Sequence, residues 1–164
     1  MDLSGRAAIA RSSVSAPVMW LAAHNKFKGR VIDWGCGQSV DQFYISGLDG
    51  VDECCAYDPH WWNNRPNGIY DVIYCGYVAN TLRPTRRHGL YMDMLQFMDA
   101  DSVAYIVVRS DKINGEPEAD GVVTSRGTFQ KSYSPDVLTW ELMEHFNVWS
   151  VTRHGHYLIA EVSK

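Results

Sequence analysis

Three short stretches of this 164-residue chain carry residue types and spacings that suit a nucleoside ligand. The first is "VIDWGCGQS", where a brief apolar run ends in Asp33, and Gly35 and Gly37 then bracket Cys36. Glycines at the end of a strand keep the turn tight and let the backbone approach a ligand closely. The second is "AYDP", which sets Asp58 25 residues after Asp33. An acid at that distance can accept hydrogen bonds from a ribose diol. The third is "CGYVANT", which places Gly76, Tyr77 and Asn80 after another apolar run. The glycine turn alone fits an ordinary strand-to-helix connection as well as a nucleotide loop. Two absences narrow its chemistry. The third glycine of a dinucleotide loop would fall at Val40, and no G-x-x-x-x-G-K-[ST] segment exists, which excludes a P-loop.

These stretches need strands to hold them. "RVIDW", "ECCAYD", "YDVIYCGYV" and "SVAYIVVRS" are short, apolar and rich in β-branched residues, and read as buried strands. Helices are predicted over "APVMWLAAHNKF", with Pro17 in its first turn, and over "QSVDQFYISGLDG", closed by glycine. A third helix is predicted over "RPTRRHGLYMDMLQFMDA", where Leu90, Tyr91, Met94, Leu95 and Met98 share a face. A fourth covers "SPDVLTWELMEHF", with Ser134 as N-cap and Pro135 next. "PHWWNNRPNG" and "DKINGEPEADG" read as loops. "NVWSVTRHGHYLIAEVS" reads as a hairpin turning at Arg153 to His156. Strands alternating with helices imply an α/β fold with parallel strands and right-handed crossovers, finished here by an antiparallel hairpin. Ligands in such sheets bind at the C-terminal strand ends, where all three stretches lie.

Composition sets outer bounds. At 46% hydrophobic residues the chain supports one domain over residues 1–164. A net charge of -4 does not favour unaided binding of polyphosphate, although a local basic patch would allow it. No apolar run reaches the roughly 18 residues of a membrane span, and the first twenty residues lack the apolar core of a signal peptide. A cytoplasmic protein is expected. Cys36, Cys54, Cys55 and Cys75 form no C-x-x-C pair, so free thiols and no metal site are expected. His154 and His156 flank a glycine without a third ligand, and read as turn residues. Arg83, Arg86, Arg87 and His88 open a helix, where cations oppose the dipole; they read as a solvated patch.

The pattern apolar run, acid, x, Gly, x, Gly in "VIDWGCG" resembles motif I of class I S-adenosylmethionine-dependent methyltransferases. "AYDP" is similar to that family's ribose-binding acid motif, "YDVIYCGYVANTL" to its fourth-strand motif, and the terminal hairpin to its topology. The resemblance implies a Rossmann-like, mostly parallel sheet. Too few residues separate Asp58 from Tyr70 for a full helix–strand–helix unit, so one edge strand is expected to be missing or rudimentary. Ser39 stands where many members have a further glycine. A narrower resemblance spans "AIARSSVSAPV", "DWGCGQSVD", "VVRSD" and "GVVTSRGTFQKSYSPDVL": these look like the methyltransferases associated with DNA phosphorothioation systems, of which this shorter chain would be a trimmed relative from a virus or phage.

The resemblance implies S-adenosylmethionine as cofactor. Asp33, Gly35, Cys36 and Gly37 would hold its methionine end, Asp58 its ribose, and Pro59 with His60 would lie near the adenine, with Gly76 and Tyr77 at the mouth. Trp61 reads either as an adenine neighbour or, with Trp62, as a packed pair on the sheet edge. Catalytic candidates are Tyr77, Asn80, Arg109 and Asp111; substrate-binding candidates are Arg126, Thr128, Phe129, Gln130 and Lys131. The acceptor, nucleic acid or small molecule, is unidentified, as is the oligomeric state. The D/N-P-P-Y/F motif of amino-methylating DNA enzymes is absent, and Cys75 lacks the preceding proline of cytosine C5 enzymes. Other readings are a non-catalytic module of the same fold that binds nucleic acid or a protein, an S-adenosylmethionine-degrading enzyme and, more remotely, a nicotinamide oxidoreductase.

Overall fold

The computed structural model describes residues 4–38 and 40–164. Its centre is a six-stranded sheet. Four parallel strands come first: β1 (Gly29–Trp34), β2 (Val51–Tyr57), β3 (Val72–Gly76) and β4 (Val103–Arg109). A small antiparallel sheet follows, made of β5 (Glu116–Glu118), β6 (Gly121–Val123) and β7 (Phe129–Gln130). The hairpin β8 (Asn147–His154) and β9 (Tyr157–Ser163) returns to the main sheet, whose order is β2-β1-β3-β4-β9-β8. β9 runs antiparallel to both β4 and β8.

The alternation of side chains explains the layers. β1 is buried from Val31 to Trp34, because both faces of the sheet are covered. One face carries Ile32, Ile73 and Ile106 and packs on helices α3 (Pro84–Leu95) and α4 (Pro135–Met143) through Tyr91, Met94, Leu138 and Leu142. The other carries Val31, Val72 and Val107 and packs on α1 (Ala16–Ala23) and α2 (Asp41–Ser46) through Val18, Leu21 and Ile45. Pro17 sits in the first turn of α1, and Ser134 caps α4 by accepting a hydrogen bond from the Val137 amide.

The chain leaves β1 for β2 on one side and returns to β3 on the other. That reversal opens a crevice at the carboxyl ends of β1 and β3. Beyond β2 the described residues add no further strand, as the short span from Asp58 to Tyr70 implied, and exposed Asp52 and Glu53 mark it as a charged edge.

Two expectations are corrected. "DKINGEPEADG" contributes β5 and the turn into β6 instead of an open loop. The basic start of α3 is also not simply solvated. Arg87 is 3% exposed, and it joins Lys131, Asp120 and Glu141 in an ion cluster. Asp120 sits at the β5–β6 turn, so this cluster ties the small sheet to the body, and partners distant in sequence satisfy cations that the helix dipole alone would oppose.

Candidate functional site

A cleft of about 730 Å³ opens at the topological switch. Its floor is the end of β1. Gly35 and Cys36 donate their amides to the Tyr57 carbonyl at 2.7 and 3.2 Å, which ties the first loop to the end of β2. Gly35 has φ +74°, and a Cβ there would collide with Val78 of the third loop. Gly37 has φ +55°. Its amide donates to Asp58 Oδ2 at 3.0 Å, and its carbonyl accepts from Trp62 Nε1 at 3.1 Å. Asp58 Oδ1 accepts the amides of His60 and Trp61 at 2.8 and 3.1 Å. Three backbone donors thus occupy Asp58, leaving about one of the four acceptor positions of a carboxylate.

Carboxylates dominate this end. Asp33 is 2% exposed and its Oδ2 has no hydrogen-bond partner among the described residues. Desolvation, then the neighbouring Asp41 and Asp58, push its carboxyl well above the usual range, against the pull of Arg11. Asp41, also buried, accepts from the Ser15 amide at 2.8 Å and from the Ser15 hydroxyl at 2.7 Å, which pins the N-terminal segment to the start of α2.

The opposite wall follows β3. Tyr77 has φ +61°, a left-handed conformation unusual for a bulky residue. Its amide donates to the Val107 carbonyl at 2.8 Å. Burial pushes its phenol up to about 12, so it is a neutral donor at physiological pH. Asn80 is 1% exposed; its Nδ2 donates to Gln130 Oε1 at 2.9 Å, while Oδ1 has no partner among the described residues. Arg109 holds Asp111 in a two-pronged contact that keeps the aspartate below its usual range.

No family model and no curated protein matches the chain. Solved structures do. A 1,6-didemethyltoxoflavin-N1-methyltransferase from Burkholderia thailandensis, bound to 1,6-didemethyltoxoflavin and S-adenosylhomocysteine, superposes with a TM-score of 0.69 at 17% identity, over 91% of this chain and 77% of that one. A DhpI complex with SAM and HEP gives 0.67 at 19% identity, over 91% and 88%. The glycopeptide N-methyltransferase MtfA with S-adenosylhomocysteine gives 0.65 at 12% identity, over 94% and 92%. The chain has the class I methyltransferase fold.

Within this methyltransferase fold the cleft brings together Asp33, Gly35, Cys36, Gly37, Asp58, Pro59, His60, Gly76, Tyr77, Asn80, Arg109 and Asp111. Burial pushes the Cys36 thiol upward, so it lines the wall as an inert group. Trp61 and Trp62 are about half exposed and lie outside the lining. Ser39 is outside the described residues.

The "TSRGTFQK" stretch divides. Gln130 lines the cleft. Phe129 packs into the interior near Gly121, Lys131 belongs to the ion cluster, and Thr128 closes a turn on Thr124 with Arg126 exposed at its tip. Arg86 and His156, read from sequence as part of a solvated patch and as a turn residue, also line the cleft, as do Arg11 and Asp41, which were not singled out. Asp41 carried a usable signal, an acid one turn past the glycines at the start of a helix. Arg11 carried none beyond its place in a quoted segment.

Proposed function

We propose that the protein is an S-adenosylmethionine-dependent methyltransferase. The observation that carries this reading is the meeting of Asp33, the Gly35–Gly37 loop and Asp58 in one cleft at the switch point of a methyltransferase-type sheet. The residues present fit the cofactor. The buried Asp33 Oδ2 lacks a partner among the described residues, the two left-handed glycines hold the first loop tight against the cleft, and clustered carboxylates suit a cationic ligand.

S-adenosylmethionine supplies a methyl group on a sulfonium, an already activated leaving group, so positioning provides much of the rate. Asp33 holds positive charge at the floor. Asp58 organises the first two loops and retains an acceptor position for a ribose hydroxyl. Pro59 and His60 border the base. On the acceptor side, Asn80 Oδ1 is a buried acceptor without a partner among the described residues and Tyr77 a neutral donor. This pair orients an N–H or O–H nucleophile. Arg109 and Asp111 neutralise each other and shape that wall.

The open cleft, unblocked by Trp61 or Trp62, favours this reading over a non-catalytic module. The acceptor is a small molecule or a nucleic acid. We place the chain beside the phosphorothioation-associated methyltransferases, as a short viral relative, on the strength of "TSRGTFQK". Incubation with methyl-labelled S-adenosylmethionine and DNA, tRNA or metabolite extract tests the activity. Label in one acceptor fraction supports transfer. Cofactor breakdown without transfer would favour a degrading enzyme.

A further inference from the structure

Of the "TSRGTFQK" stretch only Gln130 lines the cleft, and its place there is fixed from both sides. Phe129 is buried and seats β7 in the interior. Gly121 of β6 makes room for it: a Cβ there would meet the Gln130 carbonyl at 2.5 Å and the Phe129 ring at 2.6 Å. Lys131 pins the following position through Asp120 and Glu141. The small sheet thus delivers one side chain, Gln130, to the wall that holds Tyr77 and Asn80.

β7 and the residue after it grip Asn80 twice. The Lys131 amide donates to the Asn80 carbonyl at 2.8 Å, and Asn80 Nδ2 donates to Gln130 Oε1 at 2.9 Å. A side-chain amide has a donor end and an acceptor end. Gln130 engages the donor end. What Asn80 keeps for a ligand is Oδ1, buried and without a partner among the described residues. A buried carbonyl oxygen left unpaired costs free energy that a ligand hydrogen recovers. The same oxygen repels an anion set against it. A donor at position 130 would reverse the amide, and Asn80 would present N–H instead.

We propose that Gln130 is a positioning residue: it takes the Asn80 amide hydrogen and keeps Oδ1 for the methyl acceptor, so that the slot selects an amine, amide or hydroxyl over a carboxylate or thiolate. This assignment deepens the methyltransferase reading above and rests on it. The acceptor's N–H or O–H donates to Asn80 Oδ1 while its lone pair forms the bond to the methyl carbon. The carbon–sulfur bond breaks onto sulfur, which leaves neutral, and the acceptor proton passes to water. The carbonyl dipole stabilises the positive charge that grows on the attacking atom.

Gln130→Glu and Gln130→Lys test this, because the first still accepts the Asn80 hydrogen and the second only donates. Each is assayed with methyl-labelled S-adenosylmethionine and the DNA, tRNA or metabolite fraction that the native protein labels, over a dilution series of that fraction. Gln130→Glu retains most of the native rate. Gln130→Lys loses roughly ten- to a hundred-fold at limiting acceptor, the range of a buried hydrogen bond presented the wrong way round. Gln130→Met, which leaves the amide unguided and adds no charge, falls between them. All three bind S-adenosylhomocysteine within about twofold of the native protein, which shows that they are folded. The label withstands mild alkali, as N-methyl and methyl ether groups do. Equal rates in the three variants overturn the positioning role. Label released as methanol by mild alkali marks a carboxylate acceptor and overturns the selectivity. A native protein that labels no fraction overturns the methyltransferase reading itself, and this assignment with it.

Discussion

Gly37 and Asp58 meet end to end: the glycine amide lies 3.0 Å from Asp58 Oδ2, joining the loop after β1 to the loop after β2. The acid that the sequence offers for a ribose is therefore first a structural brace. Asp58→Ala removes the acceptor for three backbone amides. It is expected to lose about 1–3 kcal/mol of stability as well as cofactor affinity. Urea unfolding checks this, and a variant of native stability that fails only in binding would contradict the brace.

Asp33 predicts a pH effect. Its carboxyl lies well above the ordinary value of 3.8 in the folded state. The unfolded chain thus binds fewer protons than the folded one between 3.8 and the raised value. Ligand-free protein loses stability as pH rises through that window, and below it this contribution vanishes. Asp33→Asn removes the loss, so its melting temperature should gain on the native protein as pH rises above the ordinary carboxylate value of 3.8. A difference that does not change with pH counts against the buried, unpaired carboxyl.

Gly35 is needed twice, for its left-handed backbone and for the space that Val78 occupies. Gly35→Ala is expected to cost about 1–3 kcal/mol. Adding Val78→Ala relieves the collision and leaves the backbone strain, so thermal unfolding should show partial rescue. Full rescue would mean that the backbone conformation costs nothing.

Lys131 illustrates what the sequence concealed. "TSRGTFQK" reads as a substrate stretch because its composition is unusual, yet Lys131 donates to Asp120 at 2.7 Å and Glu141 at 3.0 Å. Lys131→Ala should destabilise the fold by about 1 kcal/mol, since Arg87 still pairs with the exposed Asp120 and the half-buried Glu141, and should leave affinity for S-adenosylhomocysteine within about twofold. Native stability with lost affinity would return Lys131 to the ligand side.

The strands and main helices were legible because hydrophobic period and caps are local signals; Ile32, Ile73 and Ser134 announce their elements within a few residues. The floor of the cleft was legible for the same reason, since Asp33, Gly35 and Gly37 adjoin in sequence. The β5–β6 hairpin was not, because Glu116 to Glu118 is wholly exposed and its anchor, Asp120, depends on Arg87 and Lys131 elsewhere in the chain. Arg11 was invisible for a similar reason. Only folding brings it over the Tyr77 ring and near Asp33.

The central claim is a cofactor site between Asp33 and Asp58, and the most direct measurement is calorimetric titration of the native protein with S-adenosylhomocysteine. The account predicts one-site, saturable binding, with a matching rise in melting temperature as ligand increases. No heat of binding and no thermal shift at saturating ligand would contradict it.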